Sequence, residues 1–335
     1  MMTSVRSSTI YDVAERAQVS IATVSRVLNS PEQVNQRTRM RVQSVIEALG
    51  FVPRAEASAR ARKNTCRIGV LAPFFTLPSF VQRLRGVAEA LTGSHYELAI
   101  YNVDTSERRD MYLSHLPIAR RLDGLIVMAL PFSAQYVEKL QLHGLETVLI
   151  EAAQPALASV EIDDEAGGRL VGNYFVSRGH QRCGFIGDSD LPTYAIHTSD
   201  RRLNGYRRAL ADAGVALPAS YVGLAPHGLD PAHRQALRVL SQTDRPTAIF
   251  APSDTQAIGV LRAARDLGLQ VPADLAVIGF DDIEVADYIG LTTVRQPLNE
   301  SGRVAVDLLL ARLADRTRPM QHVQLPLTLV QRETA

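Results

Sequence analysis

Tryptophan is absent from this chain, and 335 residues hold only two cysteines and 6% aromatic side chains. Cys66 and Cys183 have neither a CxxC partner nor a histidine at metal-ligand spacing, which excludes a disulfide framework and a zinc module. No apolar run approaches the length needed to span a bilayer, and MMTSVRSST carries no hydrophobic stretch after its arginine, so neither a membrane anchor nor a signal peptide is expected. The expected location is the cytoplasm. GxSxG, Walker and GxGxxG patterns are all missing, which argues against an enzyme and against a nucleotide cofactor; no cofactor and no metal are expected. Lysine is also rare, with Lys63 and Lys139 the only two among 36 basic residues, leaving arginine as the cation throughout. What is plentiful is core-forming material: 46% hydrophobic residues over this length predict two or three globular domains.

The most informative segment is TIYDVAERAQVSIATVSRVLN, residues 9–29. Thr9 and Asp12 have capping-box spacing, and Ile10, Val13, Ala14 and Ala17 follow at i, i+3, i+4 and i+7, predicting a short helix with one apolar face. Ser20 and Thr23 open a second helix, in which Val24, Val27 and Leu28 turn inward while Ile21, Ala22, Ser25, Arg26 and Asn29 face out. A third helix runs from an Asn35 cap, with Val42, Val45, Ile46 and Leu49 as its core stripe and Gly50 at its end. Three short helices with an outward polar face on the second describe a helix-turn-helix reader of the DNA major groove. Gln18 falls in the tight turn, where a left-handed backbone is expected.

Charge divides the chain in the same place. Up to Thr65 there are ten basic residues against five acids, leaving 26 against 30 in the remainder. A net charge of +1 therefore hides a basic head on an acidic body, the distribution expected if the head alone meets phosphates.

Beyond residue 65, short apolar runs alternate with amphipathic stretches, the pattern of parallel sheets wrapped by helices. The runs 67–73, 97–103, 124–130 and 147–152 predict one sheet, with helices near 79–92, 106–117 and 134–143. The runs 183–188, 221–224, 247–252 and 275–282 predict a second sheet, with helices near 165–178, 201–213, 230–242 and 254–267. The remaining LNESGRVAVDLLLARLADR and HVQLPLTLVQRE predict one helix and one final strand. The expected division is a head at 1–52, a hinge at 53–65 and a core at 66–335. Within the core, one lobe spans about 66–154 with 284–315 partly crossing, and the other spans 155–283 with 316–335. Open sheets bind ligands at the carboxyl ends of their strands, which places a small-molecule site between the lobes.

SIATVSRVLN, FVPRAEASARARKNT, RRLNGYRRAL, SRGHQRCGFIG, SDTQAIGVLRAARDLGLQVPADLAVIGFDD and LTTVRQP, in this order, resemble the lactose-repressor (LacI/GalR) family of bacterial transcription regulators. The resemblance runs from Thr9 to Arg332. It implies an all-α helix-turn-helix domain joined to a periplasmic-binding-protein-like α/β core of two doubly wound lobes. It also implies a homodimer that binds a pseudo-palindromic operator as a repressor and answers to a small effector, a sugar or sugar derivative.

Carried over residue by residue, it places Thr9, Ile10, Tyr11, Ser20, Ile21, Ala22, Thr23, Ser25, Arg26 and Asn29 near DNA. Arg54 and Arg60 of the hinge belong with them. Relatives wedge a leucine into the minor groove from the position of Arg60, so an A/T-leaning operator centre with less kinking is expected here. For the effector it implies Asp281, the first Asp of GFDD, and Arg202 of RRLNG, an acceptor pair and a donor fork suited to adjacent hydroxyls. Asp163, beside Asp164, belongs to the same cleft motif. Ser253 stands where relatives often have asparagine, with Asp254 after it as a possible helix cap. Leu77, Pro78, Ser79 and Phe80 replace a common Asn-Pro-Phe-Phe. Phe74 and Phe75 offer an apolar wall or plain core, His227 falls near a position where relatives place a large aromatic, and Gln296 either touches the ligand or only crosses between lobes.

Two other readings stay open: a regulator without an effector, and a sugar-binding or sugar-modifying protein with an incidental head. The chain reaches Ala335 a few residues past the final strand without leucine heptads, so a dimer rather than a tetramer is expected.

Overall fold

The computed structural model describes residues 8–29, 31–51, 66–189 and 192–335. Its N-terminal head is built from α1 (Ile10–Arg16), α2 (Ile21–Asn29) and α3 (Gln36–Leu49). The Thr9 hydroxyl accepts from the Asp12 amide at 3.3 Å and the Asp12 carboxylate accepts from the Thr9 amide at 2.6 Å, so both halves of the capping box form. Ser20 Oγ accepts from the Thr23 amide at 3.1 Å at the start of α2. The turn between α1 and α2 is left-handed at Gln18, with φ 51°. Asn35 caps α3 and Gly50, with φ 54°, ends it. Val13, Ala17, Val24, Val27, Val42, Ile46 and Phe51 close the core of the head, and Ile118 of the body joins that cluster.

The first lobe is laid down as β1 (Arg67–Pro73), α4 (Pro78–Leu91), β2 (Glu97–Val103), α5 (Ser106–Ala119), β3 (Gly124–Met128), α6 (Ala134–His143), β4 (Glu146–Ile150) and β5 (Ala158–Glu161). The second follows as α7 (Asp164–Ser177), β6 (Cys183–Asp188), α8 (Thr198–Asp212), β7 (Val222–Ala225), α9 (Leu229–Leu240), β8 (Ala248–Phe250), α10 (Asp254–Asp266), β9 (Ala276–Asp281), α11 (Glu284–Tyr288) and β10 (Thr292–Arg295). The chain then returns as α12 (Leu298–Ala314), β11 (His322–Gln324) and β12 (Thr328–Val330). The sheets are ordered β11-β5-β4-β3-β1-β2 and β12-β10-β9-β8-β6-β7. All their pairings are parallel except β10 with β12. Strands buried on both faces, such as β3 and β9, explain why their sequences read as unbroken apolar runs.

The sheets divide the chain differently from the sequence expectation. Residues 158–161 add a strand to the first sheet that was not anticipated, because ASVE is too short and too mixed to declare a period. The tail forms two strands rather than one: Pro326 interrupts the run, β11 extends the first sheet, and β12 closes the second. Residues 155–161 and 316–324 therefore belong with the first lobe. Within the crossing 284–315, α11 and β10 stay with the second lobe, whereas α12 packs on α4 of the first. The head rests against the first lobe, with Lys139 of α6 3.3 Å from Glu47 of α3.

Candidate functional site: a DNA-reading head and an interlobe cleft

On α2 the expected division of faces is realised. Val24, Val27 and Leu28 are buried, Ile21, Ala22 and Arg26 are exposed, and Thr23 and Ser25 are intermediate. Ser20 and Tyr11 are exposed and Thr9 and Ile10 half-buried, so the start of α1 and the outward residues of the first turn of α2 are open to solvent. The Asn29 side chain, Arg54 and Arg60 lie outside the described residues.

The cleft forms where the doubly wound topology predicts, at the carboxyl ends of the strands. Phe74 follows β1, Ala129 follows β3, Glu151 follows β4, Asp188 and Asp281 end β6 and β9, Ser253 and Gln296 follow β8 and β10, and all of them line one cavity of about 110 Å³. Four of these, Phe74, Ala129, Glu151 and Asp281, are non-glycine residues at positive φ, a costly backbone that gathers at binding sites where the surroundings enforce it. From above, residues 192–197 of the second lobe reach across: the Ile196 amide donates to the Ala129 carbonyl at 3.0 Å, and the Tyr194 ring lies 6.2 Å from Phe74.

A chain of buried polar groups spans the cleft. Arg83 of α4 pairs with Glu151, and its Nη2 also donates to Gln296 Oε1 at 2.8 Å. Gln296 Nε2 donates to Asp281 Oδ1, which lies 3.5 Å from Arg202 Nη1. Arg202 donates through Nε to Asp164 at 2.9 Å and through Nη1 to the Pro252 carbonyl at 2.6 Å, over the face of Phe280. Burial works against the Arg202 charge, but Asp164, Asp281 and Glu151 outweigh it and its pKa rises. Burial pushes the Asp281 carboxyl up, against the pull of Arg202 and the Gln296 amide. On the second lobe's side, Asp188 Oδ1 accepts from Gln256 Nε2 at 2.9 Å and lies 3.1 Å from His227 Nδ1.

Of the sequence candidates, Phe74, Leu77, Ser79, Arg202, His227, Ser253, Asp281 and Gln296 meet in this cavity. Gln296 lines the cleft at the point where the chain crosses between the lobes. Two candidates fall elsewhere. Asp163 caps α7, accepting from the Ala166 amide at 2.9 Å, and faces an outer groove. Phe75 packs against the first lobe's core. Ser253 is the cap of α10; the fully buried Asp254 after it ties the Ile283 amide to the Thr293 hydroxyl, and burial beside Asp281 pushes its carboxyl well above the usual range. Arg83, Glu151 and Asp188 were missed. Glu151 and Asp188 stand at strand ends, the signal that found Asp281, whereas Arg83 is one turn beyond Ser79 on α4 and carries no such mark. Among the described residues no group of three or more His, Cys, Asp or Glu side chains is disposed to hold a metal ion.

A helix-turn-helix head on a two-lobed core with a polar cleft defines a ligand-responsive DNA-binding protein. The pattern described as bacterial regulatory proteins, lacI family, matches residues 9–54, and that of the periplasmic binding protein-like domain matches residues 172–335. Catabolite control protein A of Priestia megaterium is 33% identical over 95% of this chain and 96% of its own length. The ribose operon repressor of Escherichia coli is 32% identical over 98% of this chain and all of its own. The transcriptional regulator CelR in complex with cellobiose has a TM-score of 0.71 at 26% identity, covering 98% of this chain and 100% of that one. The lac repressor dimer bound to operator and the anti-inducer ONPF has a TM-score of 0.70 at 27% identity, covering 98% and 99%. The chain belongs to the LacI family of transcriptional regulators.

Proposed function

We propose that this protein is a repressor that binds a pseudo-palindromic operator as a homodimer and changes its operator affinity when a sugar or sugar derivative occupies the interlobe cleft. The observation that carries the effector half is the convergence of strand ends from both lobes on one cavity containing Arg202, Asp281, Gln296 and His227. Arg202 Nη2, which makes no hydrogen bond among the described residues, is the part of the fork left for a hydroxyl. The sugar assignment is supported by related structures that hold cellobiose and ribose. An effector need discriminate between two lobe arrangements by only a few kcal/mol to move the operator equilibrium.

The dimer face we propose carries the exposed Val285, Tyr288 and Ile289 of the α11 region, where Arg85 of α4 meets Glu284 at 3.3 Å. Mapping of genomic sites bound by the full chain, followed by titration of sugars against one such site, tests the whole reading. Paired half-sites and a sugar that shifts affinity are expected; bound sites without two-fold symmetry would reject the dimer, and indifference to every sugar would reject the effector.

A further inference from the structure

We propose that His227, held by Asp188, is a specificity-determining residue of the cleft, whose outer ring nitrogen accepts a hydrogen bond from an effector hydroxyl and so couples effector binding to protons. The proposal rests on the reading of the cleft as an effector site. Its basis is a directional chain. Ser253 Oγ accepts from the Gln256 amide at 3.2 Å and its hydroxyl donates to Gln256 Oε1 at 2.9 Å, which turns Gln256 Nε2 toward Asp188 at 2.9 Å. The same Asp188 oxygen lies 3.1 Å from His227 Nδ1, so Nδ1 must carry a proton to meet an acceptor. A neutral imidazole has one ring proton; Nε2 therefore holds a lone pair, and among the described residues it has no partner.

His227 lines the cavity and keeps 27% of its side chain exposed. The charged groups facing it are Asp188 on β6, Asp281 on β9 and Arg202 on α8. Burial lowers the ring's pKa, but the hydrogen bond and charge of Asp188, with Asp281, outweigh burial and Arg202, so the net shift is upward. An effector seated on the ring removes its remaining water, which disfavours the imidazolium, and a hydroxyl donating to Nε2 favours the neutral ring further. Binding thus releases a proton, and affinity falls on acidification by at most about tenfold per pH unit. A phosphate dianion at this place offers no donor to the lone pair and meets the carboxylates of Asp188 and Asp281.

The histidines all lie beyond residue 65, so a pH response of the effector does not arise from titration of the DNA-reading head. In the full-length protein labelled with 15N-histidine and free of sugar, NMR should show His227 with its proton on Nδ1 and a midpoint above that of free histidine, lowered in Asp188→Asn. D-ribose, D-glucose, D-galactose and ribose 5-phosphate are then titrated against operator-bound protein at about pH 8 and about pH 6. One neutral sugar should act, with its half-effect concentration rising roughly three- to tenfold or more at the lower pH in wild type and staying flat in His227→Gln. A proton on Nε2, an active ribose 5-phosphate, or a pH profile shared by wild type and His227→Gln overturns the proposal while leaving the effector reading intact. Operator binding that no neutral sugar alters rejects the effector reading and this proposal together.

Discussion

Arg26 is an exposed side chain in the second turn of α2, with Ile21 and Ala22 open one turn earlier, so it is placed to reach a base edge while Ser20 and Thr23 approach phosphate. Arg26→Ala should cost about 1–3 kcal/mol of operator binding and relax one operator position; an equal loss on every sequence in a binding-site selection would make it a phosphate contact instead. In the cleft, the pair Asp188 and His227 carries a sign. Because the folded pKa of His227 is raised, the pair's contribution to stability is fully present below the unfolded histidine value of about 6.5 and is lost as pH rises through the folded value. Thermal melts from mildly acid to mildly basic pH should show this slope in wild type and a shallower one in Asp188→Asn. Single residues were legible where a motif or a strand end marked them, as with Asp281. Arg83 was not, because its role depends on facing Glu151 from a helix 68 residues earlier in the chain.

Helices α7 and α8 meet more closely than side chains allow. A Cβ on Gly205 would stand 1.9 Å from the Glu165 carbonyl oxygen, and one on Gly168 equally close to that of Arg202. This contact sets the distance between Asp164 and Arg202, which belong to the two helices. Gly205→Ala should therefore lower stability by about 1–3 kcal/mol or more through forced separation, and it should also weaken any cleft ligand. Denaturant unfolding and effector titration of the same variant check both; unchanged stability would show that the helices can part freely. Elements with strong periodicity or caps, such as α1, α3 and β1, could be drawn from sequence nearly to the residue. β5 and the split between β11 and β12 could not, because they are defined by the sheets that receive them and not by any local pattern.

For the whole molecule, the face around α11 leaves Val285, Tyr288 and Ile289 open to water in one chain. Tyr288 is 84% exposed there, with Val285 and Ile289 also open beside it in the chain, which is the surface proposed above to be covered by a second copy. Tyr288→Asp should give monomers in sedimentation at micromolar concentration and lose most operator affinity, since two half-sites are then read independently. A variant that stays dimeric would move the interface elsewhere. The basic head and acidic body were legible from charge alone, whereas the lobes could be assigned only approximately because the backbone passes between them more than once.

Those passages have a consequence for the birth of the protein. The head gathers nearly all of its core from residues 13–51, and it can be complete while the ribosome is still making the first lobe. Neither lobe can do the same. The first waits for α12 and β11 and the second for β12, all from the last 38 residues. Both sheets must be finished together, late and through contacts of high sequence separation, which makes this core a slow folder. A nascent chain thus acquires the means to find DNA before it acquires the cleft through which an effector would govern that binding.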